Sequence, residues 1–164
     1  SAGGVIECVV ENVPAGLGEP VFEKLDASLS KAIMSIGAIK AVEIGDGIET
    51  AVRHGSENND AFRMENGRVI KTTNHAGGIL GGISDGSNIV LRAYVKPTPS
   101  IFSPQKTVNK QGENIELSIK GRHDPIIVPR AVVVVESMTA LTIADALLMN
   151  ASARLDNLKR LYDR

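Results

Sequence analysis

The sequence predicts an α+β domain in which an antiparallel β-sheet packs against a layer of buried helices. Three observations predict it. Stretches rich in β-branched residues alternate with stretches whose apolar residues recur every three or four positions. Several strand stretches are joined by turns too short for a crossover, which makes their pairing antiparallel. No linker or internal repeat divides the chain, so residues 1–164 read as a single domain, and a hydrophobic fraction of 43% suffices for one core.

The first strand stretch runs from Gly4 to Val13 and stops at Pro14-Ala15-Gly16-Leu17-Gly18. From Pro20 the period changes: Phe22, Leu25, Leu29, Ala32 and Ile33 line one side of a helix with Pro20 near its first turn. Ile39 to Ile44 is a strand, and Gly45-Asp46-Gly47 is a tight turn into a short helix over Ile48 to Val52. A polar stretch, Arg53 to Asp60, precedes a hairpin whose Asn66-Gly67 pair supplies the turn. Ile89 to Val95 and Ile115 to Ile119 are further strands. Arg130 to Asn150 is apolar on almost every side, with Pro129 at its start, and reads as a buried helix. The tail spaces Leu155, Leu158 and Leu161 along one side of an amphipathic helix.

Composition removes several functions. Lys plus Arg is 18 and Asp plus Glu 19, and aromatics are 3%, so neither a polycation nor a set of stacking platforms is available for nucleic acid. Cys8 is alone; it closes no disulfide within the chain and builds no cysteine-rich zinc site, which suits a reduced, cytoplasmic protein. No apolar run approaches the roughly 20 residues that cross a bilayer, so no membrane role is expected. No metal motif, Walker loop or nucleophile elbow occurs, and Thr50 stands where a dinucleotide fingerprint would need its third glycine. The chain opens without Met, almost inside a strand pattern, and an upstream segment is expected to be missing.

Three loops carry the candidate chemistry. Gly77-Gly78-Ile79-Leu80-Gly81-Gly82 lets backbone amides approach a planar or anionic ligand, or lets an element pack on bare backbone; the two readings are evenly matched. Lys96-Pro97-Thr98-Pro99-Ser100 sets a cation and two hydroxyls on a chain stiffened by prolines, which suits a phosphate, although taken alone an edge strand ended by prolines, with a solvated Lys96, explains it better. Arg122-His123-Asp124-Pro125 places a fixed cation, an imidazole and a carboxylate together, for anion binding and proton transfer or as a solvated turn. His54 and His75 have no partners in sequence and read as loop residues.

Together with Gly16-Leu17-Gly18-Glu19-Pro20-Val21-Phe22, Met34-Ser35-Ile36 and Val42-Glu43-Ile44-Gly45-Asp46-Gly47, these loops resemble the chorismate synthase family, in family order. The resemblance covers the C-terminal part of that enzyme; its N-terminal portion, with two catalytic histidines and several substrate-binding arginines, has no counterpart here. It implies half of a β-α-β sandwich and a lyase of the shikimate pathway. That lyase converts 5-enolpyruvylshikimate 3-phosphate to chorismate and phosphate by anti-1,4 elimination with reduced FMN. A homotetrameric intact form and an association with NADP are implied too.

By the resemblance, Asp124 and Arg122 are catalytic, Asp124 as the flavin-side proton carrier. Gly37, Ala38, Gly81, Lys96, Pro97, Thr98, Pro99, Ser100 and Arg122 bind FMN, with Lys96 and Ser100 at its phosphate. The family commonly has Asn-Ala where this chain has Gly37-Ala38, and Ile126 and Ile127 are bulkier than its usual residues. The fragment alone is expected to be inactive. The alternative is a stand-alone module that binds a phosphate ligand or a partner without catalysis.

Overall fold

A computed structural model describes residues 1–162, the side chain of Leu161 excepted. Its central sheet has three strands, β1 (Gly4–Val10), β2 (Ile39–Ile44) and β7 (Ile89–Val95), with β7 in the middle and both neighbours antiparallel to it. Alternation decides the faces: Ile89, Leu91, Ala93 and Val95 are buried while Val90, Arg92 and Tyr94 are half-exposed. Ile6 lies opposite Ala93 on β1, and Val42 opposite Ala93 on β2, so one face of all three strands is apolar. On the other face Arg92 Nε donates to Glu7 at 2.9 Å, and the Tyr94 hydroxyl donates to Glu43 at 2.6 Å.

Helices α1 (Leu25–Met34) and α3 (Val128–Ala151) cover the apolar face. The antiparallel α+β class is as the sequence reads it. Two helix expectations need correction. α1 begins at Leu25 rather than at Pro20, because residues 20–22 form a turn with Val21 at φ +72° that leaves Phe22 86% exposed. The Leu25 amide instead donates to the Gly82 carbonyl at 2.8 Å, so a distant loop caps this helix.

α3 is not buried all round. Val135, Thr139 and Ile143 are its buried residues, at the spacing of one stripe, whereas Val133, Leu141 and Leu148 lie exposed on the other side. By length and composition α3 is long and apolar enough to cross a membrane, which corrects the expectation that no such run exists. Its buried stripe is seated on the sheet and α1.

Three hairpin-sized strand pairs complete the topology among the described residues. The Asn66-Gly67 hairpin joins β3 (Phe62–Glu65) to β4 (Arg68–Lys71), and both turn residues have positive φ. Within the glycine-rich segment β5 (Ile79–Leu80) pairs with β6 (Ile83–Ser84). A further pair, β8 (Gln105–Val108) and β9 (Asn114–Leu117), includes a strand that the sequence reading passed over and ends the later one two residues early. β1 ends at Val10 rather than Val13, where Asn12 turns to φ 59°. A 3₁₀ turn spans Gly47–Val52, α2 (Gly55–Asn58) interrupts the polar stretch, and α4 (Leu155–Tyr162) forms the tail. Leu155 is 67% exposed; Leu161, the third member of the expected leucine side, lies outside the described residues.

Candidate functional site

Most of the candidate residues collect at the Val95 end of β7. Ala38, just beyond α1, accepts a hydrogen bond from the Lys96 amide at 2.9 Å, which sets the 37–38 segment beside the start of the Lys-Pro loop. Ala38 has φ +71°, a left-handed conformation that costs a non-glycine residue about 1 kcal/mol and so marks a place where the surroundings impose the backbone. Gly37 faces open space.

The first four residues brace the Lys-Pro loop against the Arg-His-Asp loop. Ser1 Oγ donates to the Thr98 carbonyl at 2.7 Å, and the Ala2 amide donates to the Pro125 carbonyl at 2.8 Å. Gly3 lies so close that a Cβ there would meet the Val95 carbonyl oxygen at 2.5 Å. A run that offers no motif in the sequence is therefore the clasp between two candidate loops, and its small residues are explained by close approach.

Between those loops lies a cleft of about 230 Å³, lined by Ser100, Phe102, His123 and Asp124 among others. Phe102 stacks edge-on against His123 with ring centroids 5.4 Å apart. Thr98 Oγ1 and His123 Nε2 are buried without a hydrogen-bond partner, an uncommon state for a polar atom. Lys96 and Arg122 are exposed, and among the described residues neither has an ion-pair partner. Asp124 is paired, but with Arg130 of α3 at 2.5 Å and not with Arg122. A second cleft of about 200 Å³, between α1 and α3, is lined by Glu19, Glu23 and Asp145 and by no cation, so it does not suit an anion.

Gly81 stands apart. The glycine-rich segment adjoins the Ile89 end of β7, where the Val90 amide donates to Gly77, and β7 itself spans about 20 Å. The packing reading accounts for three of its four glycines. A Cβ on Gly77 would meet the Gly45 amide nitrogen at 2.3 Å, one on Gly78 the Asn88 carbonyl oxygen at 2.5 Å, and one on Gly82 the Lys24 side chain at 2.5 Å. Only at Gly81 is the space open.

Two ionic clusters at this end escaped the sequence reading. His75 Nδ1 lies 2.5 Å from Asp46 Oδ2, and Arg53 contacts both, so His75 has partners after all. Behind it, Lys71 Nζ reaches Asp85 at 2.7 Å, Asn74 at 3.0 Å and Asp60 at 3.4 Å, with the Lys71 side chain only 4% exposed. Burial alone would raise the Asp60 pKa. Hydrogen bonds from the Thr73 hydroxyl and the Ala76 and His75 amides, with the Lys71 charge, outweigh it and bring Asp60 down to about 2. Asp85 is lowered in the same way, against its own burial, by Lys71 and Ser87.

Comparison with known proteins then decides the family. The family model described as chorismate synthase matches residues 1–148. The chain belongs to the chorismate synthase family. It is 66% identical, over its whole length, to a chorismate synthase of Lachnoclostridium phytofermentans, and 62% identical over 91% of its length to one of Archaeoglobus fulgidus. A solved structure titled "Crystal Structure of Chorismate Synthase" superposes with a TM-score of 0.74 at 34% identity, covering 98% of this chain. The chain spans less than half of these relatives: 45% of the first, 42% of the second and 42% of the solved chain.

Proposed function

We propose that this chain is the C-terminal, flavin-binding part of a cytoplasmic chorismate synthase, forming one domain over residues 1–164. The intact enzyme would eliminate phosphate from 5-enolpyruvylshikimate 3-phosphate to give chorismate. Family membership supports the reaction class. One observation supports the site: Ser100, His123 and Asp124 line a single cleft, and at the same end of β7 Ala38 accepts a hydrogen bond from the Lys96 amide, with the Lys96 and Arg122 side chains exposed.

The family uses reduced FMN, and the residues present fit it. Lys96 and Ser100 offer a cation and a hydroxyl to a phosphate, and the buried Thr98 Oγ1 and His123 Nε2 are polar atoms that a ligand would satisfy. Arg122 would hold an anionic substrate by its guanidinium fork, and Asp124, paired to Arg130, would take and return a proton at its free carboxylate oxygen. Reduced FMN, when bound, supplies electron density to the substrate as phosphate leaves. The apolar face of α3 would be covered by the part of the family's length that this chain does not span.

The test is a pair of substitutions in an intact enzyme carrying this sequence. Lys96→Ala is expected to weaken FMN binding roughly tenfold to hundredfold, the value of a charge-assisted hydrogen bond of about 1.5–3 kcal/mol. Asp124→Asn is expected to lower turnover by about 100-fold or more with FMN affinity retained. An unchanged FMN dissociation constant in Lys96→Ala would return that lysine to the solvated surface. Preserved turnover in Asp124→Asn would remove Asp124 from the chemistry.

A further inference from the structure

We propose that Arg130 is a positioning residue of the same site: its guanidinium holds the Asp124 carboxylate in the orientation from which it exchanges a proton. The inference rests on the reading of Asp124 given above and adds a residue that no motif of the sequence singles out.

The carrying observation is the contact itself, Arg130 Nη1 to Asp124 Oδ2 at 2.5 Å. Three further facts separate an orienting role from a stabilising one. Arg130 is the third residue of α3, in the turn where the helix dipole is positive, and that turn contains no acidic residue. A cation there is unfavourable for the helix and needs another reason. The pair is also open to solvent, with Arg130 72% and Asp124 34% exposed, so its contribution to folding is small.

The backbone that follows Asp124 is already fixed. Pro125 and Ile126 are tied to Ala2 by a hydrogen bond and a parallel bridge, and the Arg130 amide donates to the Ile127 carbonyl at 3.1 Å with Pro129 stiffening the start of the helix. What remains free is the rotation of the Asp124 side chain, and Arg130 is the group that restrains it. Arg122, two residues away, makes no such contact and is left for the ligand.

The experiment is a double-mutant cycle in an intact enzyme carrying this sequence, read by kcat, by substrate KM and by the FMN dissociation constant. Arg130→Met is expected to lower kcat roughly tenfold to hundredfold, the scale on which misplacing a reacting group acts, with KM and FMN affinity unchanged. Arg130→Lys, which keeps the charge, should recover part of the loss. In an Asp124→Asn background Arg130→Met should cost nothing more, since its effect passes through that carboxylate. If Asp124→Asn lowers turnover but Arg130→Met leaves kcat intact, or the two losses add, the positioning role is overturned while the role of Asp124 stands. If Asp124→Asn itself preserves turnover, the underlying reading of the site is what fails.

Discussion

Lys71 shows how much a single residue can hide in a sequence. At the end of Val69-Ile70-Lys71 it looks like a solvated lysine closing a hairpin, yet its ammonium uses all three donors on Asp60, Asn74 and Asp85 in a nearly dry site. Removing the cation while leaving two buried carboxylates is the costly way to break such a cluster, so Lys71→Met should lower stability by about 3–5 kcal/mol in urea unfolding. The same cluster sets an acid limb. The folded value of Asp60, about 2, lies below its ordinary 3.8, so Asp60 binds its proton more readily in the unfolded chain. Its contribution, on the order of 2 kcal/mol, is complete above about pH 4 and is lost as pH falls toward 2. Asp60→Asn should be less stable near neutrality and flat across that window. A wild-type stability that does not fall there would show that Asp60 is not held by these partners.

At the scale of elements, the glycine-rich segment resolves a question that composition leaves balanced. Four glycines in six residues announce an unusual backbone, and the structure separates those that another chain segment presses on from the one facing open space. Gly77→Ala should cost about 3 kcal/mol, because both its φ of +63° and the 2.3 Å approach to Gly45 forbid a Cβ. Gly81→Ala, at φ +59° with no neighbour within 4 Å, should cost only about 1 kcal/mol. Equal losses in thermal unfolding would contradict the packing reading. The start of α1 teaches a related lesson: Pro20 is a plausible first-turn residue by rule, but the Gly82 carbonyl is the acceptor that sets the first helical amide, and it lies far along the chain.

For the whole molecule the informative feature is the bare side of α3. Leu141 is 64% and Leu148 74% exposed, so within this chain they stabilise little. Leu141→Lys with Leu148→Lys should change the chain's own stability by less than about 0.5 kcal/mol, whereas the same pair in an intact enzyme should lower its thermal midpoint. A large loss in the chain alone would mean that these leucines are covered within it. Complete apolarity around a helix signals that each side meets something, and it does not say whether the cover is in the same chain.

The alternation of periods, the Asn66-Gly67 turn and the ordered loops were enough, in the sequence alone, to specify an α+β fold, its principal strands and the family resemblance. Those signals are local, written in neighbouring residues through backbone conformation and side-chain period. The tertiary structure decided what depends on residues far apart in the chain. It closed Ser1 to Gly4 over the two candidate loops, paired Asp124 with Arg130 rather than Arg122, buried Lys71 between two aspartates, and set Gly81 at the opposite end of β7 from Lys96. The physical reason is that burial and charge pairing act through space. Whether a lysine is solvated or a glycine is needed is settled by whatever the fold brings beside it, and residue order does not carry that information.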